Sequence, residues 1–153
     1  MLNKVIEGSV RLQRRWRKPA YEDLKFYQDI CQIRKLIYKI TGRFANIHFR
    51  LVSQMRDSAR SAKQNIREGY RKGSIGGYIH SIKISLGSLE ELSGDIEDCI
   101  EDGLINKSEF IEFSRLFQSA TYMAGQYIKS LYKMEWNGTW RVSGEKLRKC
   151  NLK

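Results

Sequence analysis

The sequence predicts an all-α fold in which four helices are flanked by basic N- and C-terminal extensions. The chain has 153 residues, which is enough for one domain with a sizeable core. It contains one proline, Pro19, and is rich in helix-favouring Leu, Ile, Lys, Glu and Arg. Apolar residues recur at helical spacing in four long segments. We therefore divide the chain into a basic arm over residues 1–20, a helical bundle over 21–135 and a basic, tryptophan-containing tail over 136–153.

Helix α1 is predicted over residues 21–41, between Pro19 and Gly42. Its apolar face is wider than one neighbouring helix requires, which favours contacts with several partners, including a second copy of the chain. That face consists of Leu24, Phe26, Tyr27, Ile30, Cys31, Ile33, Leu36, Ile37 and Ile40.

Helix α2 is predicted over residues 47–71 and helix α3 over 78–102, with the flexible segment 72–77, KGSIGG, reversing the chain between them. Gly87 and Gly94 are seven residues apart on nearly the same face of α3. Because glycine weakens a helix interior, this spacing predicts that another helix approaches closely there.

Helix α4 is predicted to follow a stop at Gly103 and a capping box formed by Asn106 and Glu109, and to extend to about residue 135. Its apolar residues keep heptad spacing, which is typical of a bundle seam. The seam consists of Phe113, Phe117, Ala120, Ala124, Tyr127, Leu131 and Met134.

Cysteine content and hydropathy indicate a cytoplasmic protein without a membrane span. The three cysteines, Cys31, Cys99 and Cys150, form no CxxC pair, so we expect reduced thiols. The longest uncharged run, residues 116–128, is too short and too polar to cross a bilayer, and the N-terminus lacks the apolar core of a secretory signal.

The net charge of +11 lies mostly in the two extensions. Residues 1–20 hold six bases and one acid, residues 136–153 hold five bases and one acid, and residues 21–135 hold seventeen bases and fifteen acids. Such a protein attracts polyanions, among which nucleic acid is the first candidate and an anionic membrane the second.

Helix α2 places a basic stripe beside an apolar one. Met55, Ala59, Ala62 and Ile66 recur at helical spacing, and each is followed by a base, so the second stripe borders the first. Its candidate phosphate contacts are Arg56, Arg60, Lys63, Arg67, Arg71 and Lys72. The alternative is a solvated stripe, or one paired with the acidic second half of α3, which contains Glu90, Glu91, Asp95, Glu97, Asp98, Glu101 and Asp102.

The two extensions supply further candidate nucleic-acid contacts. In the arm, a tryptophan suited to base stacking lies among bases; these residues are Arg11, Arg14, Arg15, Trp16, Arg17 and Lys18. The alternatives are a solvated terminus and a mitochondrial presequence. The tail contributes Arg141, Lys146, Arg148 and Lys149, after two tryptophans, Trp136 and Trp140, that either stack on bases or cap the bundle.

No motif predicts catalysis, a cofactor or a metal. Glu91, Asp95, Asp98 and Asp102 share a face of α3, yet neither His48 nor His80 has the glutamate three residues earlier that carboxylate-bridged metal bundles use. A solvated or ion-paired face is the better interpretation. Residues 73–77 follow a helix instead of a strand, so they lack the context of a phosphate loop.

Two blocks of the sequence resemble a known family. They are LVSQMRDSARSAKQNIREGYRKGS and SLGSLEELSGDIEDCIEDGLI, supported by YEDLKFYQDI at the start of α1. They are similar to the four-helix-bundle family of 23S rRNA intervening-sequence proteins and accessory variability determinants of diversity-generating retroelements. The resemblance implies an antiparallel up-down four-helix bundle that assembles as a homopentameric ring. In the retroelement branch it implies nucleic-acid binding and association with a reverse transcriptase.

We therefore expect a non-catalytic oligomer that binds RNA or an RNA/DNA hybrid through α2 and the extensions, as an accessory subunit of a reverse transcriptase in a diversity-generating retroelement. Two alternatives remain open. One is a protein-interaction scaffold of the intervening-sequence family without direct nucleic-acid function. The other is a membrane-surface protein that uses the basic arm.

Overall fold

The computed structural model describes residues 18–140 and contains four α-helices and no strand within that range. The helices are α1 (Lys25–Thr41), α2 (Phe49–Arg71), α3 (Ile75–Glu101) and α4 (Lys107–Trp136). Short 3₁₀ helices at Ala20–Asp23 and Asn46–His48 precede α1 and α2. The predicted all-helical class is confirmed.

The four helices surround one apolar core. Helix α1 packs closely against α2 and α4, and α3 packs against the same two helices, whereas within residues 18–140 no Cα atoms of α1 and α3, or of α2 and α4, come within 8 Å of each other. Ile33, Ile37 and Ile40 of α1 are fully buried, and Tyr27 and Leu36 are nearly so. The wide apolar face of α1 is therefore used within the chain, since this helix packs against two neighbours.

Small and polar residues line the contact between α2 and α3. The Gln54 amide donates to Asp95 over 2.8 Å, and the hydroxyls of Ser61 and Ser88 are 2.9 Å apart. Gly69 provides the closest approach, because a Cβ at this position would lie 2.6 Å from Ser81 Oγ. Close packing here requires glycine on α2.

The predicted close approach at Gly87 and Gly94 is wrong within the described chain. Apart from the backbone of its own helical turn, a Cβ added at either glycine would find no atom of residues 18–140 within 4 Å. Both glycines lie on the exposed face of α3, which points away from the core.

Helix termini follow local capping chemistry. Ser74 begins α3, because its hydroxyl accepts from the backbone N–H of Gly77 over 3.2 Å, so the break is shorter than the predicted 72–77 segment. The capping box of Asn106 and Glu109 is confirmed, as is the stop at Gly103, where φ is +70°. Helix α1 begins at Lys25 instead of residue 21, because a 3₁₀ helix occupies the preceding turn.

The seam of α4 is buried except at its end. Phe113, Ala120, Ala124 and Leu131 are buried as predicted, and Phe117 and Tyr127 are partly buried. Met134 is 39% exposed, so its assignment to the seam is wrong. It lies one turn beyond Leu131, the last buried residue of α4.

Candidate nucleic-acid interface

The structure places only part of the predicted interface. Lys18 is described; it is exposed and forms an ion pair of 2.6 Å with Asp23. The predicted contacts of the α2 segment are also described: Arg56, Arg60, Lys63, Arg67 and Arg71 lie on α2, and Lys72 follows its last residue. The remaining predicted contacts lie outside the described residues: Arg11, Arg14, Arg15, Trp16, Arg17, Arg141, Lys146, Arg148 and Lys149.

Arg56 is the most firmly held base of α2. Its Nε donates to Thr41 Oγ1 over 2.9 Å, and the Thr41 hydroxyl donates to the Ile37 carbonyl over 2.7 Å. Its guanidinium carbon is 4.7 Å from the centre of the Tyr38 ring, within cation–π range. Arg56 is therefore oriented by two residues of α1.

Helix α1 adds Arg34, a base that was not predicted to belong to the interface. The Arg34 guanidinium carbon is also 4.7 Å from the centre of the Tyr38 ring. A sequence signal was present, because residues 30–56 contain six bases and no acid. We name the surface formed by Arg34, Tyr38, Arg56, Arg60, Lys63, Arg67 and Arg71 the α1–α2 basic surface.

The other bases of α2 are more loosely held. Arg60 forms a 3.2 Å ion pair with Asp57 in which both side chains are mostly exposed, so solvent screens it. Lys63 is half-buried, and Arg67, Arg71 and Lys72 are exposed. Such side chains can adjust to a ligand with little loss of structure.

The acidic half of α3 does not neutralise the bases of α2 within residues 18–140. Its Glu91 accepts a hydrogen bond from Ser58 over 3.2 Å, and its Asp95 accepts from Gln54. Across the described range, no base of α2 forms an ion pair with an acid of α3. The predicted alternative of a paired stripe therefore does not hold inside the chain.

Trp140 caps the end of the bundle where α2 meets α3. Its ring nitrogen donates to the Gly73 carbonyl over 3.1 Å, and its ring lies 5.7 Å from Tyr78 and 6.5 Å from Tyr70, between centroids. For Trp140 the capping interpretation is confirmed. Trp136, in contrast, is 91% exposed.

The first and the last turns of the described chain both lie at this end of the bundle, beside the C-terminus of α2. The Tyr21 ring packs 5.1 Å from Tyr70, between centroids, and Trp140 contacts Gly73. Burial raises the pKa of Tyr21, while the nearby charges of Arg67 and Arg71 oppose that rise. Tyr21 and Trp140 therefore both lie at the C-terminal end of α2, where Arg67 and Arg71 are found.

Cys99 and Asp95 are two titratable side chains of the described core whose pKa values are raised. Burial raises the pKa of the Cys99 thiol to about 11, so this cysteine stays protonated at neutral pH. Cys31 and Cys99 are both free thiols, while Cys150 lies outside the described residues. Burial also raises the pKa of Asp95, with Glu91 and Asp98 adding to the effect.

The described helices meet the requirements of neither a metal site nor a membrane span. Between residues 18 and 140, no three His, Cys, Asp or Glu side chains are grouped so as to hold a metal ion. Over the same residues, no helix combines the length and the apolar character that crossing a membrane requires.

The fold and the α1–α2 basic surface define a class of small, basic, all-helical proteins. A family model for the 23S rRNA-intervening sequence protein matches residues 22–126, which include α1, α2, α3 and most of α4. The chain belongs to this family. A comparison with curated proteins finds no match.

Proposed function

We propose that this protein is a non-catalytic, cytoplasmic nucleic-acid-binding protein whose ligand is RNA or an RNA/DNA hybrid. One observation carries the proposal: Arg34 and Arg56 share the Tyr38 ring while the acids of α3 bind serine and glutamine instead. Clustered bases without carboxylate partners are a typical phosphate-binding surface. The family name refers to an intervening sequence of 23S rRNA, which fits an RNA-related role.

The basic extensions belong to the proposed interface. Tyr21 and Trp140 lie at the C-terminal end of α2, so the arm and the tail join the bundle near the C-terminal part of the α1–α2 basic surface. Because the extensions carry most of the excess charge, this position gives them a route to the same polyanion.

An antiparallel up-down arrangement of the four helices is part of the proposal. Two contacts between α2 and α3 support it: Gln54 pairs with Asp95, and Ser61 pairs with Ser88. Because the later residue of α2 meets the earlier residue of α3, the two helices run in opposite directions. The Arg43–Glu109 ion pair adds support by joining the end of α1 to the start of α4. Three short connections then suffice to link the helices.

We further propose that the protein forms a homopentameric ring and serves as an accessory subunit of a reverse transcriptase in a diversity-generating retroelement. This step depends on the sequence resemblance alone. Its test is the mass of the native protein in solution, together with copurification of a reverse transcriptase. A monomeric mass would contradict the ring.

The test of nucleic-acid binding is the affinity for an RNA oligonucleotide as a function of salt. Replacing Arg60, Lys63 and Arg67 with glutamine is expected to weaken binding and to reduce the salt slope by about 0.7 for each lost contact with a single strand. The matched control replaces Arg115, Lys129 and Lys133, three exposed bases of α4, and removes the same charge.

Two results would contradict the proposal. One is the absence of RNA binding by the unmodified protein at moderate salt. The other is an equal loss of affinity in both triple variants, which would indicate a general charge effect instead of a surface. Binding to anionic vesicles without binding to RNA would favour the membrane-surface alternative.

A protein-interaction scaffold is the second candidate, and one feature favours it. Ile47, just before α2, and Phe49, the first residue of α2, are 83% and 65% exposed. Exposed apolar side chains of this size are typical of protein contacts. The test is a double variant, Ile47→Ser with Phe49→Ser. If it no longer self-associates but binds RNA with normal affinity, these residues serve protein contact.

A further inference from the structure

We propose that Arg34, Tyr38 and Arg56 form a preorganised site for a single phosphodiester group of the nucleic-acid backbone. The identity of this ligand rests on the proposed function, whereas the geometry of the site stands independently of it. The site combines two helices, and Arg34 is not part of the α2 stripe.

The Tyr38 ring attracts one guanidinium from its own helix, Arg34, and one from α2, Arg56. Each guanidinium carbon is 4.7 Å from the centre of the Tyr38 ring, so the two carbons lie within twice that distance of one another. The ring is attracted to both cations, but the two cations repel each other. An anion that contacts both would relieve this repulsion.

The hydrogen bonds of Arg56 leave its outer face available. Nε is used by Thr41, and the four N–H groups on the two terminal nitrogens remain. A guanidinium presents such groups in a planar fork that matches two phosphate oxygens. Because Thr41 and Tyr38 already orient the fork, little conformational freedom is lost when an anion binds.

The site also lacks a carboxylate that would compete for the guanidinium groups. The bases that form ion pairs in residues 18–140 are Lys18, Lys25, Arg43 and Arg60. Arg34 and Arg56 are not among them. The nearest acids in sequence are Asp29 and Asp57; the first pairs with Lys25 and the second with Arg60.

A phosphate at this position would set the register of the nucleic acid along α2. It would lie one helical turn from Arg60 and two turns from Lys63, so further phosphates of the same strand could reach these bases. Phosphate contacts carry no base information, and the expected recognition is therefore independent of sequence.

The experiment compares Arg34→Gln, Arg56→Gln and the double variant in binding a single-stranded RNA oligonucleotide. Each single variant is expected to lose affinity about tenfold and to reduce the salt slope by about 0.7, because each disrupts the same phosphate contact. The double variant is expected to show the same slope reduction as either single variant, since only one phosphate is involved.

The control is Lys35→Gln, which removes the same charge from the exposed residue next to Arg34. Its affinity is expected to fall less than twofold. Tyr38→Leu tests the role of the ring and is expected to weaken binding with both arginines retained. Thermal unfolding of every variant separates loss of binding from loss of fold.

Inorganic phosphate distinguishes the source of the anion. Added at constant ionic strength in place of chloride, it is expected to reduce RNA binding by the unmodified protein more than by the double variant. An equal effect of phosphate on the unmodified protein and the double variant would overturn the site. In the salt titrations, a slope reduction in the double variant equal to the sum of the two single reductions would also overturn it.

The two proposals fail in different ways. If the unmodified protein binds no RNA, the proposed function fails. If it binds RNA and neither Arg34→Gln nor Arg56→Gln changes the affinity, this site is overturned while the proposed function stands.

Discussion

The two ends of the bundle are held together by different forces. The aromatic end is defined by Tyr21, Tyr70, Tyr78, Tyr127 and Trp140. Four of its ring pairs pack edge to face with centroids 5.1 to 6.5 Å apart, and the Tyr78–Trp140 pair is tilted. At the loop end, defined by residues 42–48 and 102–106, Arg43 and Glu109 form an ion pair while Ile47 is exposed.

The two ends should therefore differ in their resistance to salt and pH. Burial of aromatic rings depends weakly on salt and pH. A partly exposed ion pair depends on both, because ions screen it and protonation abolishes it. One end of the same small bundle is therefore sensitive to solution conditions, and the other is not.

The largest expected effect is at the close contact of the aromatic end. Gly69→Ala places a Cβ against Ser81, and we expect a loss of about 2 kcal/mol in the free energy of unfolding. Chemical denaturation measures it. The control is Gly87→Ala, where no described atom beyond the backbone of its own helical turn lies within 4 Å of the new Cβ and a gain of up to about 1 kcal/mol is expected. Equal effects in both variants would show that Gly69 does not set the spacing.

A smaller effect is expected from the cap of the same end. Trp140→Ala removes a half-buried ring and its hydrogen bond to Gly73, at a cost of about 2 kcal/mol or less. Because neither the ring contact nor the hydrogen bond involves a charged group, the loss should be the same in low and high salt. Trp136→Ala, which removes an exposed ring, serves as control and should change stability by less than about 0.5 kcal/mol.

The smallest expected effect is at the loop end and depends on pH. The hydrogen bond with Arg43 lowers the pKa of Glu109, so its ion pair stabilises the fold above the ordinary glutamate pKa. That contribution disappears as the pH falls through the lowered pKa. Glu109→Gln is expected to cost about 1 kcal/mol at pH 7 in low salt and less in high salt.

Unfolding measured from pH 7 to pH 3 provides the check. The difference between the unmodified protein and Glu109→Gln should shrink towards acidic pH. Glutamine keeps an oxygen that can accept from the Asn106 backbone, so the helix cap survives the substitution. A difference that grows on acidification would contradict the assignment of the ion pair.

The fold was more accessible to sequence reasoning than the site was. Helical periodicity, Gly103 and the Asn106–Glu109 capping box are local signals, and they located four helices. The start of α3 was missed, although Ser74 is a favourable N-cap, because Gly76 and Gly77 suggested a longer break.

The site depends on contacts between helices, which a single helix pattern does not reveal. Arg56 was assigned from its place on α2, but its partners Tyr38 and Thr41 lie on α1. Arg34 was missed for the same reason. The close helix contact was also misplaced. The spacing of Gly87 and Gly94 predicted it on α3, but the glycine that permits close packing is Gly69 of α2.

The position of Trp140 makes the protein its own optical probe. The ring lies 5.7 Å from Tyr78 and 6.5 Å from Tyr70, so excitation absorbed by these tyrosines passes efficiently to the indole. Tyrosine excitation should therefore produce tryptophan emission while the cap is seated, and tyrosine emission should return when it leaves. A ligand that displaces Trp140 from Gly73 would be visible without any attached dye.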